Sequence, residues 1–250
     1  MCKNLIFSSL VLFSLVVLQS CREEFIPADE ANLELDFYPV DSLTTWEFVM
    51  DSVIYDNEGL VIDSSSSFLR EQIVSKTFDE NGIPVYKIEV ARKSDFFDQY
   101  FVTDIWTLRI ENNSIIRNEE NLNFVKLKMP PVLGANWDGT PFPEDVEVYV
   151  AGDPIEMYLY WDSKFADRFV DVTFSGVEYD NVLHVIHADS ENRVEKRFAS
   201  EYYAKGIGLI RRELEIYDTQ CFLPDCDETQ AWEDKAEQGF KLVQKLIDYY

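Results

Sequence analysis

The chain has 250 residues, 46% of them hydrophobic and 14% aromatic, and a formal net charge of −25. That length and apolar content can bury a substantial core, which excludes wholesale disorder. The acidity repels phosphate backbones and gains nothing from counterion release, so nucleic acid is excluded as an expected partner, and anionic headgroups are repelled for the same reason.

In chain order, the first element is a leader. Lys3 supplies a positive start, and Leu5 to Leu18 is an apolar run too short for the ~20 residues that cross hydrocarbon, as in a signal peptide. It ends in Leu18-Gln19-Ser20-Cys21, which resembles a bacterial lipobox, with an aliphatic residue, a small residue and then a cysteine whose thiol is acylated. Gln19 departs from the small or aliphatic residue common at its position. The pattern predicts removal of residues 1–20 and lipidation of Cys21, with membrane attachment through acyl chains rather than a basic surface. Residues 21–36 are charged and lack periodicity, as a flexible tether would, and residues 37–250 are expected to form one β-rich domain.

From about residue 43 the dominant period is two. Trp46-Phe48-Met50, Tyr86-Ile88-Val90 and Val146-Val148-Val150 place apolar residues on one face, as half-buried strands do. Asp56-Asn57-Glu58-Gly59, Asp79-Glu80-Asn81-Gly82 and Asp189-Ser190-Glu191-Asn192 supply residues able to close hairpins. Segments 64–67, 129–139 and 162–167 are expected as longer loops. The strand count, roughly ten to twelve, and the absence of βαβ alternation predict an all-β, mainly antiparallel fold with little helix. One large curled sheet, a partly open barrel and a β-sandwich all satisfy it. Near the C-terminus Trp232, Ala236, Phe240, Val243, Ile247 and Tyr250 would line a helix face, but Gly239 favours a final strand at 239–249.

Candidate chemistry is sparse. His184 and His187 form an H-x-x-H within a strand-like run, where a spacing of three puts them on opposite faces, away from a shared metal. No local motif couples either to a serine or cysteine nucleophile. Cys221 and Cys226 bracket Phe222-Leu223-Pro224-Asp225 in an exported chain, which predicts a disulfide; the acidic neighbours disfavour a reactive thiolate. Glu119-Glu120 and Glu213 with Glu215 are carboxylate pairs of the kind chance supplies in so acidic a chain. Gly206-Ile207-Gly208 lacks the third glycine of a phosphate loop and is expected at a bend entering a strand, while Trp137 beside Asp138-Gly139 is expected to pin a turn. Tyr158, Tyr160 and Trp161, and Phe96, Phe97, Tyr100 and Phe101, are clusters expected to pack the sheet faces, with sugar stacking or a cavity lining as the alternative. No metal, cofactor or catalytic residue is expected.

Several phrases resemble a set of uncharacterised Bacteroidota lipoproteins. They are Phe37-Tyr38-Pro39-Val40 leading to Trp46 and Asp51-Ser52-Val53-Ile54-Tyr55-Asp56, then Gly134-Ala135-Asn136-Trp137-Asp138-Gly139, Tyr202-Tyr203-Ala204-Lys205-Gly206-Ile207-Gly208-Leu209-Ile210-Arg211-Arg212-Glu213, and Gly239-Phe240-Lys241-Leu242. Asp41-Ser42-Leu43-Thr44-Thr45 stands where a glycine-containing turn is the rule, which leaves the first strand's register open. The resemblance implies an all-β domain on a lipid tether and carries no activity. Arg22-Glu23-Glu24 looks like the surface-export signals of such lipoproteins, and Asp41-Ser42-Leu43 and Asp51-Ser52-Val53 look like their O-glycosylation sequence, with Ser42 and Ser52 as acceptors.

The expected function is that of a lipid-anchored envelope protein, at the outer membrane, monomeric and non-enzymatic, binding an unknown protein, glycan or lipid through its loops. The alternatives are a carrier holding a lipid-like ligand in an apolar cavity, and an envelope polysaccharide hydrolase with two carboxylates across a cleft.

Overall fold

The structure, a computed structural model, describes residues 33–41, 43–56, 59–143, 145–220 and 229–250. After a 3-10 turn at Leu35–Phe37, the described residues form β1 (Thr45–Asp56), β2 (Val61–Phe78), β3 (Pro84–Lys93), β4 (Phe101–Glu111), β5 (Ser114–Glu119), β6 (Leu122–Lys128), β7 (Asn136–Trp137), β8 (Val148–Val150), β9 (Asp153–Ile155), β10 (Ser163–Phe174), β11 (Val177–Glu191), β12 (Glu195–Ala204), β13 (Gly208–Asp218), a one-turn helix α1 (Trp232–Lys235) and β14 (Gln238–Tyr249). Twelve strands make one antiparallel sheet in the order β6-β5-β4-β3-β2-β1-β14-β13-β12-β11-β10-β7; β8 and β9 form a side ribbon.

A sheet this large curls because each strand twists relative to the next, and here it curls almost to closure. Beyond β7 the edge of β6 is met by a Val125 N–H donated to the Gly139 carbonyl (2.9 Å), and the Trp137 indole N–H donates to the Val125 carbonyl at 2.7 Å. The expected pinning of a turn by Trp137 is therefore the clasp of the barrel. A Cβ on Gly139 would lie 2.0 Å from Ser163 Oγ, so a side chain there would displace that hydroxyl.

Period two sorts the faces. Trp46, Phe48, Leu69, Ile73, Tyr86, Ile88, Val90, Trp106, Leu108, Leu183 and Val185 join one buried cluster, while Asp51, Arg70, Lys87, Glu89 and Arg109 alternate with inward positions on β1 to β4. A polar exterior is the reverse of the lipid-facing band of a membrane-spanning barrel. Twelve strands enclose more width than their own side chains fill, eight being about the limit. The N-terminal segment helps to fill the excess: Phe37 and Tyr38 are buried among Trp46 and Tyr203, and Leu33 and Leu35 pack against the same cluster.

Leu33 and Leu35, ahead of residue 37, pack against the core cluster. Three expectations are corrected. Segment 64–67 is strand: its serines pair with Met50–Val53 of β1, with Ser65 Oγ 3.0 Å from Ser52 Oγ and Ser66 Oγ donating to Asp51 at 2.7 Å, so hydroxyl pairing replaces apolar alternation. Segment 162–167 is mostly β10, its alternation blurred by a bulge between Phe165 and Asp167. Val146-Val148-Val150 contributes only the short β8. The final strand, β14, stands where Gly239 favoured it, zipped between β1 and β13. Gly239 has φ +122°, and a Cβ would meet the Ile216 carbonyl oxygen at 2.0 Å.

Candidate functional site

Inside the barrel the strands bring together charges that the sequence scatters. Arg117 on β5 reaches Glu71 on β2 (3.0 Å) and Glu119 (3.1 Å), and its guanidinium donates to the Tyr38 hydroxyl at 2.9 Å. Lys126 on β6 lies 3.4 Å from Glu119 and 3.2 Å from Glu201 on β12. Glu201 is the hub. Its Oε1 also takes Arg212 Nε of β13 at 2.7 Å, and its Oε2 accepts from His187 Nε2 of β11 at 2.9 Å and from the Tyr203 hydroxyl. Arg117, Glu71 and Glu201 are essentially buried.

The electrostatics follow from the count. Three carboxylates face three cations, so the site is balanced if His187 is neutral. Burial lowers the His187 pKa, against the pull of Glu201. Glu119, whose burial alone would raise it, is drawn by Lys126, Arg117 and Arg212 down to about 2; Lys126, Arg212 and His187 likewise hold Glu201 well below the carboxylate range. With Glu201 ionised, His187 carries its proton on Nε2, and Nδ1 accepts from Ser163 Oγ at 2.8 Å.

Ser163, His187 and Glu201 thus have the connectivity of a nucleophile, base and carboxylate, assembled from three strands with no local motif. Ser163 is, however, wholly buried. A substrate carbonyl needs a path to the oxygen, and Oγ is instead packed against Gly139. The arrangement is that of a satisfied core histidine.

A lid of aromatic side chains covers the network. Trp161 stacks on the His187 ring at 5.7 Å, and Tyr158, Phe142 and Phe124 meet edge to face or tilted at 5.1–5.6 Å. Beneath it a cavity of about 50 Å³ is lined by Glu119, Lys126, Tyr158, His187, Glu201 and Arg212, among others, room for a few waters at most. A larger open groove, about 440 Å³, lies between β9 and the β11–β12 turn, at the end of the barrel face that carries Ala199 and Ile216, lined by Glu147, Ile155, Glu156, Glu195, Arg197 and Asp218. Arg197 forms its rigid floor, donating to the carbonyls of Glu156 and Tyr217 at 2.9 Å each and pairing with Asp218 at 2.7 Å.

The residues singled out from the sequence are dispersed. His184 and His187 lie on opposite faces, His184 stacked on Tyr202 at 4.2 Å and His187 inside. Glu119 joins the network while Glu120 turns away in the β5–β6 turn, and Glu215 pairs with Lys196 and Lys241 at 2.7 and 3.0 Å. Of the first aromatic cluster Tyr158 is buried and Trp161 is half-buried against the core, whereas Tyr160 is 50% exposed. Phe96, Phe97 and Phe101 correct the expectation of sheet packing, being 65%, 91% and 69% exposed, with Lys93 over the Phe96 ring. Ser52 lies within β1; Cys21, Ser42, Cys221 and Cys226 fall outside the described residues. Gly206 and Gly208 have φ of +76° and +98° at the entrance of β13, the expected bend. The missing glycine before Trp46 is replaced by Leu43 in the left-handed region (φ +75°), and a bulge between Glu47 and Phe48 follows.

No protein-family model and no curated protein matches the sequence. Among solved structures the chain is similar to a "putative lipoprotein" from Parabacteroides distasonis (11% identity, 86% of this chain and 98% of that chain, TM-score 0.39). It is also similar to a "putative exported protein with YmcC-like fold" from Bacteroides fragilis (10% identity, the same coverages, TM-score 0.42). Both come from Bacteroidota, the group whose lipoproteins the sequence resembles.

Proposed function

We propose that the protein is a lipid-anchored, non-enzymatic binding module of the cell envelope, whose barrel is a scaffold packed with side chains and whose ligand sits at its end, in the open groove floored by Arg197. The observation that carries this is what packs inside the barrel among the described residues, a buried aromatic and aliphatic cluster together with the charged network. A carrier of acyl chains needs an apolar cavity of several hundred Å³, whereas the space under the aromatic lid is about 50 Å³ and lined by charge. A glycosidase needs one carboxyl group held protonated; Glu119 and Glu201 are both held ionised by buried cations. The 440 Å³ groove has the size of a small-molecule or side-chain site, and its acidic walls over a fixed guanidinium suit a ligand bearing amino groups. The anchor rests on Leu18-Gln19-Ser20-Cys21.

The test is native purification followed by mass spectrometry of what stays bound, repeated with Glu147→Lys/Glu156→Lys, two exposed groove residues. A co-purifying species that the double variant loses, at unchanged melting temperature, supports the proposal. A bound lipid retained by the variant, or glycan turnover by the purified protein, counts against it.

A further inference from the structure

We infer that one end of the barrel rests on a lipid bilayer, with Leu43, Phe78, Val132, Leu133, Val177 and Tyr250 forming an apolar rim seated among the headgroups. The inference deepens the lipid-anchored reading, on which it rests, by giving the body an orientation and a contact surface.

In an antiparallel meander alternate connections fall at the same end. The β2–β3, β4–β5, β10–β11 and β12–β13 turns, the β6–β7 loop, the start of β1 and the end of β14 therefore share one end of this barrel. Backbone bonds tie them: Thr45 N–H donates to the Tyr250 carbonyl (2.7 Å), Leu43 N–H to Ile73 (2.9 Å) and Met129 N–H to Asn113 (2.7 Å). The first described residues are fixed at this end too. Gly206 N–H donates to the Asp36 carbonyl at 2.7 Å, and Arg168 of β10 holds Glu34 at 2.8 Å.

The six rim side chains are each between 51% and 66% exposed. A lone exposed apolar residue is ordinary on any soluble protein. Six at the end where Leu33 lies form a surface with a stated neighbour, because the length of chain between Cys21 and Leu33 limits how far that end can stray. The twelve Cα-to-Cα steps from Cys21 to Leu33 can span at most on the order of 40 Å and roughly 20 Å in a coil-like chain. A tether of this length keeps the rim at high effective concentration against the bilayer, so contacts too weak to bind alone become occupied. Tyr250 supplies an amphipathic ring of the kind that settles at a membrane interface. Exposed Glu80 and Glu178 lie at the same end, so the rim suits zwitterionic rather than anionic lipid. Leu60, Phe96 and Phe97 are also exposed, but on the opposite turns, where no tether enters.

The experiment uses the acylated full chain carrying Cys221→Ser and Cys226→Ser, purified from a native-like host and reconstituted on phosphatidylcholine vesicles. An environment-sensitive fluorophore is placed by Leu133→Cys or Val177→Cys on the rim, and by Leu60→Cys or Phe97→Cys at the other end. The rim labels are expected to shift to the blue and to lose most of their emission to a headgroup-depth quencher, with the opposite labels unchanged. Vesicles that carry the protein in flotation but leave the rim labels unquenched, or quench the opposite labels equally, overturn the inference and leave the anchor standing. Protein that does not float with the vesicles overturns the anchor and the inference together.

Discussion

His187 Nε2 and Glu201 Oε2 are 2.9 Å apart at the centre of the barrel, and that one hydrogen bond fixes the histidine's tautomer and the partner of Ser163, while burial, against the pull of Glu201, keeps the ring neutral. The pair also makes the protein sensitive to acid, because neither group can take a proton without unbalancing the buried charges.

Stability should fall in two stages on acidification. The folded-state pKa of His187 is lowered from 6.5, so the folded protein resists a proton that the unfolded chain accepts; the contribution is complete above about pH 6.5 and is lost progressively below it. Glu119, lowered from 4.5 to about 2, contributes above about pH 4.5 and loses that contribution as pH falls toward 2. Melting temperature measured against pH should show both stages, and His187→Gln should remove the first. An unaltered profile in that variant would refute the assignment.

Arg117→Met should be among the most destabilising single changes, because it strands Glu71 and Glu119 in the interior without their cation. Breaking a buried pair from one side costs about 3–5 kcal/mol. Denaturant titration should show the loss, and adding Glu71→Leu should recover part of it; a single variant within about 1 kcal/mol of wild type would show that the pair is solvated after all.

Trp46 ties the first strand to the β12–β13 bend by donating its indole N–H to the Ile207 carbonyl at 2.6 Å, and Gly208 leaves it room, a Cβ there meeting the indole nitrogen at 3.3 Å in a backbone with φ +98°. Trp46→Phe should cost about 1–3 kcal/mol, through the unmet carbonyl and the lost volume. Gly208→Ala should cost at least about 1 kcal/mol through left-handed strain alone. Melting curves of equal midpoint for both variants and the wild type would contradict this.

Much of the fold was legible and the site was not, for the same physical reason. Tyr86-Ile88-Val90 announces a strand because apolar and polar positions alternate, and Gly239 marks the β14 start because a side chain has no space there. The network breaks that code: Glu71 lies on the inward face between Leu69 and Ile73, and Glu201 between Ala199 and Tyr203. A charged residue at an apolar position of an otherwise regular strand was the available signal. Its meaning depends on which strand lies opposite, and the pairing of β5 and β6 with β12 and β13 across a barrel is set by closure at Trp137, a long-range event invisible to periodicity. The serines of β2 misled in the opposite direction, because hydroxyl pairing across strands leaves no apolar trace.

Cys221 and Cys226 should be joined in the exported protein. Alkylation before reduction should leave both unmodified and after reduction should modify both; labelling without reductant would show free thiols. Closing so short a loop contributes on the order of 2 kcal/mol, so reduction should lower the melting temperature modestly.

Anchoring by lipid is tested most directly by intact-mass spectrometry of the protein extracted from a native-like host. The expected mass is that of a chain beginning at Cys21 and carrying acyl chains. A chain that retains residues 1–20, or one that begins at Cys21 with an unmodified sulfur, would contradict it.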